Sequence, residues 1–184
     1  MHPLFRSEAR MVTIRHETIA DVPARETLLD RAFGKRRRAK TSERLREGRV
    51  ASEGLAFSAV DARGRLIGTI RLWDVIAGSA GATLLLGPIA VDCKQQGKGI
   101  GAALVERALN EARVTGHAAV ILVGDAPYYA RFGFAQGLVA DLHLPGPVDR
   151  NRFLGLELMP GALDGAEGLV AGAGRLAERQ SEAA

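Results

Sequence analysis

Apolar residues recur along this chain with two different periods, and the places where the period changes lay out the elements. Met11-Val12-Thr13-Ile14-Arg15 reads as a strand, and after it Asp21 is placed to cap a helix carrying Val22, Leu28, Leu29 and Phe33 on one stripe. Thr41 or Ser42 can cap a second, shorter helix through Leu45. Two strand patterns, Leu55 to Val60 and Leu66 to Trp73, flank the turn Asp61-Ala62-Arg63-Gly64 and predict a hairpin. The next run, Ala82 to Val91, is almost wholly apolar, as expected of a strand buried on both faces. Proline cannot donate to a ladder, and a glycine inside a strand marks a bulge or a close backbone approach. Gly87-Pro88 therefore predicts that this central strand opens partway along its length.

Beyond Val91 the pattern turns helical. Ala102, Ala103, Leu104, Val105, Ala108, Leu109 and Ala112 share a helical spacing that Gly116 ends. Ala118 to Val123 is a short buried strand, and Pro127 opens a short helix through Tyr128, Tyr129 and Phe132 that Gly133 stops before Phe134 begins the return. Arg152 to Leu158 is the last strand candidate, with a register the pattern does not fix. Residues 1–160 are expected to form a single domain. Residues 161–184 read as a Gly/Ala-rich extension, compatible with a terminal helix around Leu169 to Glu178.

Composition narrows the class. With 184 residues, 47% hydrophobic and 25% charged, the chain has enough apolar surface for one packed core and resembles neither a disordered nor a fibrous sequence. No run approaches the length of apolar residues that spans a bilayer, and the charged first residues lack a signal-peptide core, so a cytoplasmic protein is expected. One cysteine, Cys93, excludes an internal disulfide and a multi-thiolate metal site; no metal is expected. The net charge of +4 admits an anionic partner. Much of that excess lies in Lys35-Arg36-Arg37-Arg38-Ala39-Lys40, where no aromatic residue is interleaved to stack on bases. That run reads as a solvated edge, so neither nucleic acid nor membrane is expected as a partner.

The chemistry concentrates in Gly97-Lys98-Gly99-Ile100-Gly101, a glycine-rich turn between a strand and a helix. Glycines leave backbone N–H groups unobstructed, and the first helical turn adds unpaired donors and the positive end of the macrodipole, so the segment suits a phosphate or diphosphate. Lys98 adds a charge, although its amide rather than its side chain can do the binding. A P-loop is excluded, because no Lys-Ser or Lys-Thr follows these glycines. Gly97, Gly99 and Ala102 satisfy the dinucleotide pattern literally. Yet the following strand holds no ribose-binding acid, and too little chain remains for a six-stranded dinucleotide domain.

Gln96-Gly97-Lys98-Gly99-Ile100-Gly101, preceded by Ile89-Ala90-Val91-Asp92, resembles the Q/R-x-x-G-x-G/A segment of the GNAT superfamily of N-acetyltransferases. Val120 to Asp125 and Tyr128-Tyr129-Ala130-Arg131-Phe132-Gly133-Phe134 resemble that superfamily's next strand and its Tyr-x-x-x-Gly-Phe helix. The resemblance implies an α/β (α+β) fold with a mixed, mostly antiparallel sheet, splayed central strands and helices on both faces. It implies acetyl-CoA as cosubstrate, with the pantetheine arm on Ile89, Ala90 and Val91 and the diphosphate on amides from Gln96, Gly97, Lys98, Gly99, Ile100, Gly101 and Ala102. The activity it implies is acetyl transfer to a small-molecule or peptide amine by direct attack on the thioester. Tyr129 becomes the candidate acid for the leaving thiolate, with Tyr128 as its alternative.

Four further points stay open at this level. The central strand reads Leu84, Leu85 and Leu86 where many relatives place a glutamate, so the base falls to a water relay or to an acid such as Asp74 or Glu53. That gap also sustains a non-enzymatic alternative, an acyl-CoA sensor or partner-binding domain. His117, His143 and Cys93 read as structural residues, and Trp73 either packs at the hairpin end or lines an acceptor pocket. Pairing through the last strand or the C-terminal tail would give a homodimer.

Overall fold

In the computed structural model, residues 12–177 are described. Strands β1 (Thr13–His16), β2 (Ala56–Val60), β3 (Leu66–Ala77), β4 (Ala82–Val91), β5 (Ala119–Val123) and β7 (Phe153–Glu157) lie side by side in the order β1-β2-β3-β4-β5-β7. All neighbours in this row are antiparallel except β4 and β5. Two short strands, β6 (Asp141–His143) and β8 (Glu167–Gly172), run parallel to one another, and β8 pairs with the far end of β3.

Alternation along β4 divides the core. Leu84 and Leu86 face a cluster with Ile70, Leu72 and the buried stripe Leu104, Val105, Ala108 and Ala112 of the long helix Ile100–Val114. Leu85 faces Trp73, Val75, Ile121 and Phe153, and Ala90 meets Leu28 and Leu29. In chain order the helices are α1 (Val22–Phe33), α2 (Thr41–Arg44), α3 (Ile100–Val114) and α4 (Ala126–Ala130). Because α1 covers one face of the sheet and α3 the other, the fold has helices on both faces.

The central strands part where Gly87-Pro88 predicts. Ile70 of β3 pairs with Ile89 but Leu72 pairs with Leu86, so β4 carries an extra residue at that point, a bulge. Beyond it β4 leaves β5: the parallel pairing is confined to Leu84 with Val120 and Leu85 with Ile121. Trp73 Nε1 donates to the Gly87 carbonyl at 2.6 Å, anchoring the bulge from the neighbouring strand. Trp73 is thus buried beneath the bulge rather than packed at the hairpin end.

Several local expectations are corrected. The segment compatible with a terminal helix is β8 over Glu167–Gly172, because its chain satisfies its backbone against β3 and β6 instead of internally. Glu178, the end of the expected helix, lies outside the described residues. Asp21 does not cap α1 with its side chain. It accepts from Thr18 N and Ser58 Oγ and pairs with Arg15, whose guanidinium holds the carboxyl well below the usual carboxylate range. Thr41 is the first residue of α2 rather than its cap, and its hydroxyl donates to the Pro147 carbonyl. The basic run is not wholly solvated either: Arg37 is buried against Asp30 and Glu26.

Candidate functional site

Parity along the β3–β4 ladder decides which backbone groups are free at the splay. Asp92 N donates to Ile67 O, so the pair two residues on, Thr69 and Ala90, also faces across the ladder. Ile89 and Val91 therefore turn their N–H and C=O groups to the side that β5 has left. Among the described residues, the Val91 carbonyl accepts there only from Gln96 Nε2, at 3.4 Å. A strand edge opened in this way is a ready partner for an extended amide-bearing chain.

The glycine turn completes this cleft. Gly97 and Gly99 have φ of 76° and 77°, a region in which a side chain is strained, and Gly99 sits immediately before α3. Among the described residues, the backbone amides of Gly97 to Ala102 form no hydrogen bond, so they and the dipole of a fifteen-residue helix converge on one spot. Gly101 is glycine for another reason: a Cβ there would stand 3.2 Å from Tyr128 Oη. The cleft between strand edge and helix start measures about 530 Å³. Of the residues expected to bind the cosubstrate, Ile89, Ala90, Val91, Gln96, Gly97, Gly99, Ile100, Gly101 and Ala102 line it. Lys98 does not; its ammonium donates to Gln95 Oε1 at 2.9 Å and Lys94 O at 3.3 Å.

A second cleft, of about 640 Å³, begins on the other side of the bulge, and the two share Ile89 and Tyr128. Its walls come from the segment around α2, from the β5–α4 junction and from the loop before β7. Hydrogen bonds from Thr41 Oγ1 to Pro147 O and from Arg44 Nη1 to Pro145 O join the first of these to the last. Tyr129 lines this second cleft and is otherwise buried among Tyr128, Phe132 and Phe134. Gly124 makes room for it, since a Cβ there would lie 2.3 Å from the ring. Burial pushes the Tyr129 phenol up to about 12, so it is protonated at neutral pH. Tyr128 shifts in the same direction, again chiefly through burial.

The acids expected to supply a base are elsewhere. Asp74 accepts from Ser52 Oγ at 2.7 Å, Glu53 is exposed, and neither lines a cleft; the same is true of His117 and His143. Instead the second cleft contains Glu43, Asp125 and Asp149. Sequence reasoning missed these because each looks like an ordinary turn or helix-start residue. Asp125 Oδ2 does accept from Tyr128 N, and Asp149 Oδ1 from Asn151 N, leaving one oxygen of each carboxylate uncommitted to its turn. Cys93 is exposed in a turn between β4 and α3. Among the described residues, no group of three or more His, Cys, Asp or Glu side chains could hold a metal ion.

Residues 52–136 match the family model described as acetyltransferase (GNAT) domain. The chain is 35% identical over 158 residues to the uncharacterized N-acetyltransferase YhbS of Escherichia coli K12, an alignment spanning 85% of this chain and 93% of that protein. Among solved structures, YhbS from Escherichia coli in complex with CoA superposes with a TM-score of 0.76 at 33% identity, covering 90% of this chain and 91% of the other. A GNAT family acetyltransferase from Brucella melitensis in complex with acetyl-CoA superposes with a TM-score of 0.66 at 27% identity, covering 89% and 97%.

Proposed function

Because the chain belongs to the GNAT family of N-acetyltransferases, we propose that its two joined clefts transfer an acetyl group from acetyl-CoA to a primary amine. The observation that carries this reading is the coincidence, in one cleft, of an unpaired strand edge with six consecutive unbonded amides at a helix start. The amides of Gly97 to Ala102 hold the diphosphate and the edge groups of Ile89 and Val91 hold the pantetheine amides. Those contacts direct the thioester toward the shared residues Ile89 and Tyr128, and so toward the second cleft.

There the neutral amine attacks the thioester carbonyl. A C–N bond forms, the C–S bond breaks, and the departing thiolate takes a proton from the Tyr129 hydroxyl. Burial keeps that phenol protonated until the thiolate departs. The amine's surplus proton leaves by water to the carboxylates of the second cleft, Asp125 and Asp149 among them. These acids supply what the leucine-filled stretch of β4 lacks, which favours turnover over an acyl-CoA sensor.

Calorimetric titration with CoA, followed by transfer assays against an amine panel with Tyr129→Phe as control, tests the reading. CoA binding together with amine acetylation that the variant loses is expected. CoA binding without transfer to any amine would leave the sensor instead.

A further inference from the structure

Resting on that reading of the second cleft as the acceptor site, we infer that the amine acetylated here is an amino acid or a similarly small amine bearing a carboxylate, and that Arg46 receives the carboxylate. Two arginines over the Trp73 ring, Arg46 and Arg71, each bury an Nε without a hydrogen-bond partner among the described residues, but Arg71 faces Glu17 and only Arg46 of the two lines the second cleft. The Arg46 side chain is only 7% exposed, and its one ion pair among the described residues runs from Nη2 to Glu43 Oε2 at 2.7 Å. Nε is buried with no hydrogen-bond partner among the described residues, and Nη1 makes no hydrogen bond there either. A guanidinium has five donors in a fixed fork, so most of this one is unspent.

Leaving a buried cation so thinly compensated is costly, and burial does depress the Arg46 pKa, with the nearby Arg37 adding repulsion. Arg37 itself cannot serve an incoming anion in the same way, because Asp30 and Glu26 already occupy its fork. A carboxylate entering the cleft would supply Arg46 with a second, bidentate partner. Two contacts fix where it would sit. The guanidinium lies over the Trp73 ring at 5.9 Å, and Nη1 is 3.8 Å from the point a Cβ on Gly87 would occupy. The free donors are therefore beside the bulge and two residues from Ile89, where the clefts meet. A carboxylate bound there needs only a short link to place an amine at that junction. Asp125 and Asp149, contributed by other segments, face the same space and suit the ammonium end.

The test is a set of matched pairs, each an amino acid and its decarboxylated amine: tyrosine and tyramine, histidine and histamine, lysine and cadaverine. With the wild-type protein, the carboxylate-bearing member of at least one pair is expected to be acetylated with a kcat/KM at least about tenfold higher. In Arg46→Gln that preference collapses while CoA affinity, read by calorimetry, stays within about twofold; Arg46→Lys keeps part of it. Equal or faster turnover of the bare amines, no turnover of any amino acid, or a preference unchanged in a folded Arg46→Gln overturns the inference. Should Arg46→Gln fail to fold, the wild-type ratio alone decides. Loss of CoA binding by the wild type would instead overturn the underlying acetyltransferase reading, so the two failures are distinguishable.

Discussion

Two clefts meet at Ile89, and they recognise with different parts of the chain. The first draws nearly all its lining from one stretch, Ile89 to Ala102, and beside the side chains of Gln95, Gln96 and Arg131 its polar groups are chiefly main-chain amides and carbonyls turned outward by a bulge and by two left-handed glycines. The second gathers side-chain ends from the α2 segment, the β5–α4 junction and the loop before β7, held together by contacts such as Thr41 to Pro147. Main-chain donors bind what every acetyl-transfer cycle shares, whereas side chains on loops carry what distinguishes one acceptor from another. Damage to the first cleft should therefore appear in cosubstrate affinity, and damage to the second in turnover or acceptor choice.

The sharpest way to separate the two is Tyr129→Phe. General acids contribute about 10²–10⁴ in rate, so kcat is expected to fall by about that factor while CoA affinity measured by calorimetry stays unchanged. A comparable fall in CoA affinity would mean that Tyr129 belongs to the first cleft after all. The same variant has a signature in stability. With the folded phenol raised to about 12 against about 10 unfolded, the folded state holds its proton more tightly; that stabilisation is complete below about pH 10 and is lost as the pH rises through about 12. Across that window the wild type should lose about 2 kcal/mol more than Tyr129→Phe in chemical-denaturation titrations, a difference absent at pH 7–9.

Trp73→Phe probes the seam between the clefts. It removes the donor to Gly87 O at 2.6 Å and shrinks the ring on which both Arg46 and Arg71 lie, leaving the buried carbonyl without that donor at the bulge. Stability is expected to drop by about 1–3 kcal/mol in thermal or denaturant unfolding, with acceptor KM rising more than CoA Kd. Equal damage to both constants would show that the bulge, not the acceptor wall alone, depends on this contact.

How far each cleft could be read in the sequence follows from the same contrast. Gly87-Pro88 inside an apolar run and the spacing Gln96-Gly97-Lys98-Gly99-Ile100-Gly101 announce a backbone event, because glycine and proline act through their own φ and N–H wherever the rest of the chain lies. Arg46 and Asp125 carry no such local mark. Their meaning depends on a bulge forty residues away in one case and on loop closure in the other, so Lys35 to Lys40 looks like a solvated edge although Arg37 within it is buried. β8 was hidden for a related reason. A Gly/Ala-rich segment has little periodicity of its own, and its extended form is set by open edges on β3 and β6.

Smaller effects test whether the first cleft is truly made of main chain. At Gly99, φ of 77° makes any Cβ cost about 1–2 kcal/mol, although nothing stands within 4 Å of where the methyl would go. Gly99→Ala should therefore weaken CoA by roughly tenfold through the conformation of the turn, with no change in turnover at saturating cosubstrate. Lys98→Ala is the converse. A cation one residue away is the obvious electrostatic partner for a diphosphate, and truncating it would matter most if charge dominated. But its ammonium is tied to Gln95 Oε1 and Lys94 O and lies outside the cleft lining, so its field reaches the ligand through solvent at about surface-pair strength, under ~1 kcal/mol. CoA affinity in Lys98→Ala is expected to change by less than about threefold and to keep nearly the wild-type salt dependence. A tenfold loss that vanishes at high ionic strength would mean that the lysine leaves its tether to meet the ligand, and that this cleft, like its neighbour, recognises through a side chain.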